Sequence, residues 1–363
     1  MNFLNKKIFN DEPDVFGLDL SDLSIKIVEI KDRGTSEYIS SYSTFSLPSG
    51  CVVGGEIQKA DQVVLAIKKA LEIAGPQKIR TKSVICSLPE TKAFLRIISL
   101  PQMNDSEMAE AVKWEMEVNI PLPLEQVYYD WQVIPQALLP EKDKINLLVV
   151  AIAKSAVDQT IEVLESAGLS PVGLEIESIA QARSLLDENN EQATVMIVDI
   201  GDCRTSFSVT KGGLPCFTSS IPLCGQTLTD VISKGMKIPF EEAEKLKLSY
   251  GIGNDFQNDS LLKMQQPVLE NLIQEIERSI DFYLTGLGYS QNIDKIILCG
   301  GGANTKGILP YLSEKLGREI ELGNPWINMK LEKNTPTISD EQSVQYSTAV
   351  GLALKKLRYE NIS

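Results

Sequence analysis

The chain has 363 residues, enough for two or more domains that each bury a hydrophobic core. Its 35 basic and 49 acidic side chains give a formal net charge of −14, which disfavours binding to nucleic acid or anionic lipid. The sequence contains no histidine, which excludes a Ser–His–Asp triad, a histidine general base and a His-ligated metal.

The first part of the chain has the pattern of a small sheet with one helix. Short apolar runs bounded by turn residues predict strands, and an apolar period close to 3.6 residues predicts a helix. The predicted strands are residues 15–20, 25–30, 38–45 and 84–88, and the predicted helix is residues 61–74.

Residues 90–153 differ in character and are predicted to form an inserted α+β unit. Asn104 and Glu107 resemble a capping box at the start of a helix. Strands are predicted at 128–134 and 145–151, on either side of a charged, turn-rich stretch.

The rest of the chain alternates strands and helices. Ser155 and Asp158 resemble a capping box for the helix that follows the insertion. The predicted helices are residues 155–167, 240–250, 267–284, 306–316 and 346–357, and the predicted strands are an antiparallel pair within 195–210 and a strand at 295–298.

Two stretches 180 residues apart share one pattern. Residues 16–22, FGLDLSD, align without gaps with residues 196–202, MIVDIGD. Such repetition predicts two related lobes, with Asp19 and Asp199 at strand ends facing the cleft between them. Two carboxylates placed in this way can hold the water shell of a Mg²⁺ ion that bridges phosphates. The turn after each aspartate offers backbone N–H groups to phosphate oxygens.

A glycine-rich turn supplies the third element of the pattern. Gly300, Gly301 and Gly302 follow the strand at 295–298, and small residues let a flat purine ring approach the backbone closely. A glycine-rich turn between a strand and a helix is a weak signal alone. In the order hairpin, hairpin, glycine-rich turn, it indicates a nucleotide site.

Cysteine spacing and hydrophobicity exclude further classes of protein. None of the six cysteines forms a C-x-x-C pair, so we interpret them as reduced structural thiols. No run of about 18 apolar residues occurs, and residues 1–11 lack the apolar core of a signal peptide. We therefore expect a cytoplasmic protein without a membrane-spanning segment.

This order of motifs resembles the actin-like ATPase superfamily. Within it, the chain is similar to the PilM family of type IV pilus assembly proteins, relatives of the division protein FtsA. The resemblance implies an α/β, actin-like two-lobed fold of duplicated ribonuclease-H-like domains with an FtsA-type inserted α+β subdomain. The segments that carry it are residues 16–20, 24–29, 98–103, 115–123, 128–131 and 173–178.

The resemblance also implies domain boundaries. The first lobe would comprise residues 12–89, 154–192 and 344–363. The inserted, partner-binding subdomain would be 90–153. The second lobe would be 193–343, with a helical subdomain at about 228–293.

The same resemblance assigns the site residues. Asp19 and Asp199 would orient Mg²⁺ through water, Lys26 would neutralise phosphate charge, and Glu177 would polarise the attacking water. The other residues would surround ATP or ADP: Ser21, Ser24, Gly201 and Thr205 at the phosphates, Gly300, Gly301 and Gly302 at the adenine, and Glu244 and Lys247 beside the nucleoside.

Simpler interpretations of four of these residues stay open. Lys26 fits a solvated strand lysine, and Glu177 fits an acid favoured by a helix N-terminus. Glu244 and Lys247 are three residues apart and fit a surface pair on a helix.

Both phosphate turns depart from the family pattern, which keeps them small and neutral. Asp22 and Asp202 each add a negative charge near the expected phosphates, which Arg204 or the metal could offset. Alternatively, both side chains point to solvent or cap the N–H groups of their own turn. We therefore expect slow ATP hydrolysis at most.

As partner, the resemblance implies the N-terminal cytoplasmic tail of the inner-membrane protein PilN, bound in a groove beside the inserted subdomain. Recruitment to the inner face of the cytoplasmic membrane follows, at a pilus or type II secretion-like platform. A homo-oligomer is possible, whereas nucleic acid and direct membrane insertion are not expected.

Three other functions remain open from the sequence: an FtsA-like division filament protein, a pseudo-ATPase scaffold without nucleotide, and a sugar or acetate kinase. Residues 355–363 are too short and polar for the membrane-binding helix of FtsA. No pattern in 90–153 supplies the substrate-binding aspartate that such a kinase needs.

Overall fold

The computed structural model describes most of the chain. The described residues are 14–32, 36–120, 122–136, 144–187, 193–252, 259–287, 292–329 and 338–359.

The first sheet begins as an antiparallel meander whose apolar residues pack against a helix. Val63, Ile67 and Ala70 of that helix are buried against Phe16 and Ile25 of the strands. The strands and helix predicted here are confirmed, with small differences at their ends. The elements are β1 (Phe16–Leu20), β2 (Ser24–Asp32), β3 (Glu37–Ser46), β4 (Val52–Val53), β5 (Glu56–Ile57), α1 (Ala60–Ile73), β6 (Gly75–Pro76) and β7 (Ser83–Leu88).

The next elements form a three-stranded antiparallel sheet covered by a helix. They are β8 (Ala93–Pro101), α2 (Asp105–Asn119), β9 (Val127–Val133) and β10 (Lys144–Ala153), with the strand order β8–β10–β9. The predicted capping box at Asn104 and Glu107 is present. Met108 and Val112 face the sheet, whereas Trp114 is 67% exposed on the opposite side of the helix.

The chain then returns to the first sheet through α3 (Lys154–Ser166), β11 (Ser170–Ile176) and α4 (Glu177–Leu185). Strand β11 pairs in parallel with β7, which gives the order β11–β7–β1–β2–β3–β6. The predicted capping box at Ser155 and Asp158 is wrong. Helix α3 follows β10 directly, with Ala153 as its N-cap residue and no side-chain cap, so Ser155 already lies in the first turn.

The second large sheet repeats the topology of the first. Its order β14–β13–β12–β15–β16 matches β3–β2–β1–β7–β11, an antiparallel meander extended by two parallel strands. The repeat predicted from residues 16–22 and 196–202 therefore extends over both sheets. The elements are β12 (Thr194–Ile200), β13 (Thr205–Lys211), β14 (Leu214–Ile221), α5 (Gly225–Met236), α6 (Phe240–Tyr250), α7 (Asp259–Asp281), β15 (Lys295–Cys299), α8 (Ile308–Leu316) and β16 (Ile320–Leu322).

Helix α7 corrects one prediction. The predicted start at Pro267 is wrong, because the helix begins at Asp259 and Pro267 lies inside it. Leu261, on one side of the proline, and Leu269, on the other, are both buried. Packing on both sides outweighs the local preference of proline to end a helix.

The chain ends with α9 (Asp340–Ser343) and α10 (Ser347–Tyr359), and α10 packs against the first sheet. Position 17 of β1 must be glycine for this contact, because a Cβ at Gly17 would lie 2.1 Å from the Ala349 carbonyl oxygen of α10. Among the described residues, no helix combines the length and hydrophobicity needed to cross a bilayer. All six cysteines are free thiols, and Cys203 alone is not buried.

Candidate functional site

A cavity of about 190 Å³ lies where the ends of β1 and β12 face each other. Nine of the residues assigned to a nucleotide site line it, and four do not. The nine are Asp19, Ser21, Ser24, Lys26, Glu177, Asp199, Gly201, Gly300 and Gly301. The four outside its lining are Thr205, Glu244, Lys247 and Gly302.

Asp19 is buried at the end of β1 and is held from two sides. The Ser87 hydroxyl donates to its Oδ1 at 3.0 Å, and Lys26 Nζ lies 3.7 Å from its Oδ2. Lys26 is the cross-strand partner of Asp19 in β2, so the sheet register brings the two charges together. Lys26 is therefore a partner of the carboxylate rather than a solvated surface lysine.

Asp199 occupies the equivalent position at the end of β12. The Gln181 amide donates to its Oδ2 at 2.6 Å. Burial, together with the nearby charge of Asp19, raises the pKa of Asp199 to about 6. Two buried carboxylates that repel each other in this way favour a cation between them.

The two aspartates fit a Mg²⁺ ion held through water. Within the described ranges, no group of three or more acidic or cysteine side chains is arranged to bind a metal directly. Mg²⁺ commonly keeps several waters and uses one or two carboxylates together with phosphate oxygens. Asp19 and Asp199 are the residues that would hold such an ion.

Glu177 is the first residue of α4 and points into the cavity. Its Oε1 lies 3.6 Å from Nη2 of Arg204, and the Glu90 N–H donates to its Oε2 at 3.4 Å. Burial raises the pKa of Glu177 to about 8, although Arg204 opposes the rise. A carboxyl group with a pKa of about 8 is mostly protonated at pH 7, so only its deprotonated fraction could accept a proton.

Thr205 does not face the cavity. Asp199 is paired across the hairpin with Ser206, whereas Thr205 is paired with Ile200 and is buried on the other face. The Thr205 hydroxyl donates to the Leu223 carbonyl at 2.6 Å. The hydroxyl that lines the cavity is Ser206, as strand alternation from Asp199 would have indicated.

The glycine-rich turn presents only part of its backbone to the cavity. Gly300 has φ of +81°, and a Cβ there would lie 2.0 Å from Asp199 Oδ1. A Cβ on Gly302 would lie 2.3 Å from Ile200 Cγ2, so this residue packs closely against β12. Gly301 is exposed at the cavity and is the residue free to approach a ring.

Glu244 and Lys247 bind α5 rather than the cavity. Lys247 Nζ donates to the Gly225 carbonyl at 3.0 Å and to the Thr229 hydroxyl at 2.9 Å, and it lies 2.8 Å from Glu244. Lys247 is only 6% exposed, so the interpretation as a surface pair is wrong. The two residues connect α6 to the helix that follows the second phosphate turn.

The repeated acids Asp22 and Asp202 differ in their surroundings. The carboxylate of Asp22 accepts from the N–H groups of Gly55 at 2.9 Å and Gly54 at 3.2 Å, which caps the turn between β4 and β5. Asp202 is exposed to solvent. Asp22 therefore caps a different turn from its own, Asp202 is exposed as the solvent alternative predicted, and both residues line the cavity.

A second, larger cavity of about 880 Å³ lies between the three-stranded sheet and the two large sheets. We call it the edge-strand groove, because β9 and β11, which are both edge strands, contribute to its walls. Its apolar lining includes Leu148, Val150 and Ile152 of β10 and Leu174 and Ile176 of β11.

Three charged residues of the groove form one cluster. Arg183 contacts Glu175 at 2.6 Å, and Lys355 Nζ lies 3.2 Å from the same carboxylate. At one end, the Tyr128 hydroxyl hydrogen-bonds to Asp158 at 3.1 Å. These pairs fix the walls and leave the apolar side chains as the accessible binding surface.

The duplicated five-strand topology, with one aspartate from each sheet at a shared cavity, defines a protein of the actin-like ATPase fold. A family model described as type IV pilus assembly protein PilM matches residues 17–357. The chain therefore belongs to the PilM family.

Individual relatives agree with this assignment. A chain of a solved PilM–PilN type IV pilus biogenesis complex is 27% identical, with a TM-score of 0.80 over 95% of this chain and 99% of that one. The cell division protein FtsA of Bacillus subtilis is 22% identical over 92% of this chain and 81% of its own length. MreB5 of Spiroplasma citri, solved bound to ADP, shares the fold, with 14% identity and a TM-score of 0.55 over 96% and 98% of the two chains.

Proposed function

We propose that this protein is a cytoplasmic scaffold of a type IV pilus or type II secretion-like platform. It binds the N-terminal tail of PilN in the edge-strand groove and is thereby recruited to the inner face of the cytoplasmic membrane. The observation that carries the proposal is that two sheet edges, β9 and β11, border one apolar cavity of about 880 Å³. The solved complex of a PilM with PilN supports the choice of partner.

Each of the two edge strands can pair with an extended peptide. In the described part of the chain, β9 pairs only with β10, and β11 pairs only with β7. Each therefore has a row of backbone N–H and C=O groups that an added strand can satisfy. Alternate side chains of that strand would enter the apolar lining, so hydrophobic contacts supply most of the affinity.

We propose that the smaller cavity holds the phosphates of ATP or ADP. Asp19 and Asp199 would hold Mg²⁺ through water, and the metal would neutralise phosphate charge. Lys26, Ser206 and the N–H groups around Gly201 would contact phosphate oxygens. The ADP-bound MreB5 supports this use of the fold.

Hydrolysis is proposed to be slow or absent. Five carboxylates line the cavity, including those of Asp22 and Asp202, and their charge opposes the neutralisation on which phosphoryl transfer depends. The cavity volume of about 190 Å³ is below the ~300 Å³ typical of small-ligand sites, so the lobes must open before a nucleotide enters. If they do not open, the protein acts as a pseudo-ATPase scaffold on the same partner.

We also propose the domain division that the family resemblance implies. The first lobe is 12–89, 154–192 and 344–363, the partner-binding insertion is 90–153, and the second lobe is 193–343. The helical subdomain at about 228–293 includes α5, α6 and α7.

The direct test is a fluorescence anisotropy titration of a labelled synthetic PilN tail with the full chain. Val150→Asp places a charge in the apolar lining and should weaken binding at least about tenfold. Val118→Asp is the matched control, because Val118 is exposed on α2 outside the groove. Equal affinities for the two variants, both shown to be folded, would contradict the proposal.

A further inference from the structure

Arg204 reaches from the second lobe to the first. It directly precedes β13, and its side chain is 13% exposed within the cavity. Nη1 donates to the Thr91 hydroxyl at 3.2 Å, at the start of the inserted unit, and Nη2 lies 3.6 Å from Glu177 Oε1. A single arginine of the second lobe therefore lies against the inserted unit and the first lobe.

The contact with Glu177 is loose. A charge-assisted hydrogen bond between a guanidinium and a carboxylate is typically about 2.7–2.9 Å long. At 3.6 Å, the two groups attract each other but do not form a hydrogen bond. A ligand that offers closer, bidentate acceptors can therefore replace Glu177 as the partner of Arg204.

The charges around the cavity indicate what that ligand is. Arg204 and Lys26 are the basic residues of the cavity lining, which also carries five carboxylates. Lys26 already donates to the Ser24 hydroxyl at 2.8 Å and lies 3.7 Å from Asp19. Arg204, whose hydrogen bond to Thr91 is longer at 3.2 Å, is the more weakly held of the two cations, and its planar fork matches phosphate geometry.

We propose that Arg204 binds the outer phosphates of a nucleoside di- or triphosphate, and that Glu177 competes with the phosphates for it. This rests on the proposed nucleotide function of the cavity. Binding moves Arg204 from Glu177 to phosphate, which frees the Glu177 carboxylate. Glu177 thereby lowers nucleotide affinity in the wild-type protein, and Arg204 raises it.

Calorimetric titration of the full chain with ATP, ADP and adenosine tests this exchange. Arg204→Gln should weaken ATP and ADP binding at least about tenfold and leave adenosine unchanged, because adenosine has no phosphate. Arg204→Lys should retain part of the affinity. Above pH 8, where the Glu177 carboxylate is charged, Glu177→Gln should tighten ATP binding several-fold, and this gain should vanish in the Glu177→Gln/Arg204→Gln double variant.

The titrations distinguish a failure of the proposed Arg204 role from a failure of nucleotide binding. If ATP binds wild type and Arg204→Gln equally, or if Glu177→Gln weakens ATP binding, the role of Arg204 is overturned while nucleotide binding stands. If neither wild type nor Glu177→Gln binds ATP, both proposals fail. Binding by Glu177→Gln alone supports the competition. Thermal unfolding of each variant identifies changes that are only structural.

Discussion

Glu175 and Arg183 form a buried bidentate ion pair in the wall of the edge-strand groove, with contacts of 2.6 Å and 2.8 Å. Arg183 also donates to the Gly351 carbonyl at 2.8 Å, and Lys355 completes the cluster at 3.2 Å from Glu175. The cluster joins β11, α4 and α10, so the shape of the groove and the stability of the first lobe depend on the same charges.

The ion pair predicts a defined pH dependence of stability. Burial alone would raise the pKa of Glu175, but Arg183 and Lys355 lower it by more, so its pKa lies below the ordinary value. Its contribution to the free energy of unfolding is therefore full above the unfolded-state pKa of about 4.3 and is lost as pH falls through the lower folded-state pKa. Urea unfolding at pH 7 should show Glu175→Gln to be less stable by about 3 kcal/mol, because Arg183 stays buried without its partner.

The difference between wild type and Glu175→Gln should narrow as the pH falls below about 4. Glu72→Gln is the control, because Glu72 forms an exposed pair with Lys69 and its loss should not be measurable. A constant difference between pH 7 and pH 3 would show that Glu175 acts through packing alone.

The repeated acids of the two phosphate turns predict unequal effects. Asp22→Ala removes the cap on the N–H groups of Gly54 and Gly55 and should cost about 1–2 kcal/mol in the free energy of unfolding. Asp202→Ala should cause no measurable loss, because Asp202 is exposed. Chemical unfolding of both variants checks this. Equal losses would mean that Asp22 does not cap the hairpin.

The three glycines of the turn after β15 predict a graded response. Alanine at Gly300 or Gly302 would place a Cβ 2.0 Å from Asp199 Oδ1 or 2.3 Å from Ile200 Cγ2, and each should destabilise the fold by about 2 kcal/mol or more. At Gly301 the nearest atom is 3.8 Å away, so alanine should be tolerated. The thermal unfolding temperatures of the three variants give the order of their destabilisation. A Gly301→Ala variant as unstable as Gly302→Ala would contradict the geometry.

The two hairpins could be predicted because their apolar runs and their aspartates lie in consecutive residues of the sequence. Thr205 lies outside the cavity lining because of the strand register, which can be counted from the sequence. Counting across the turn from Asp199 leads to Ser206, the residue that lines the cavity. Thr205 was assigned from the family resemblance alone.

Other features depend on tertiary context. Strand β11 was not predicted, since Pro171 and Gly173 interrupt its pattern, yet its edge position tolerates both. The contact of Arg204 with Glu177 joins residues from different lobes, and no local pattern encodes it. The groove likewise exists only once the three-stranded sheet is packed against the two larger ones.

Site-specific photo-crosslinking tests the central claim, that the edge-strand groove binds the PilN tail, most directly. A photoreactive amino acid replaces Tyr129, which lines the groove and is 40% exposed, or Trp114, which is exposed on α2 outside it. Irradiation of each protein with the labelled tail should give a crosslink from position 129 and none from position 114. A crosslink from position 114 with none from position 129 would show that the tail binds elsewhere and would contradict the account.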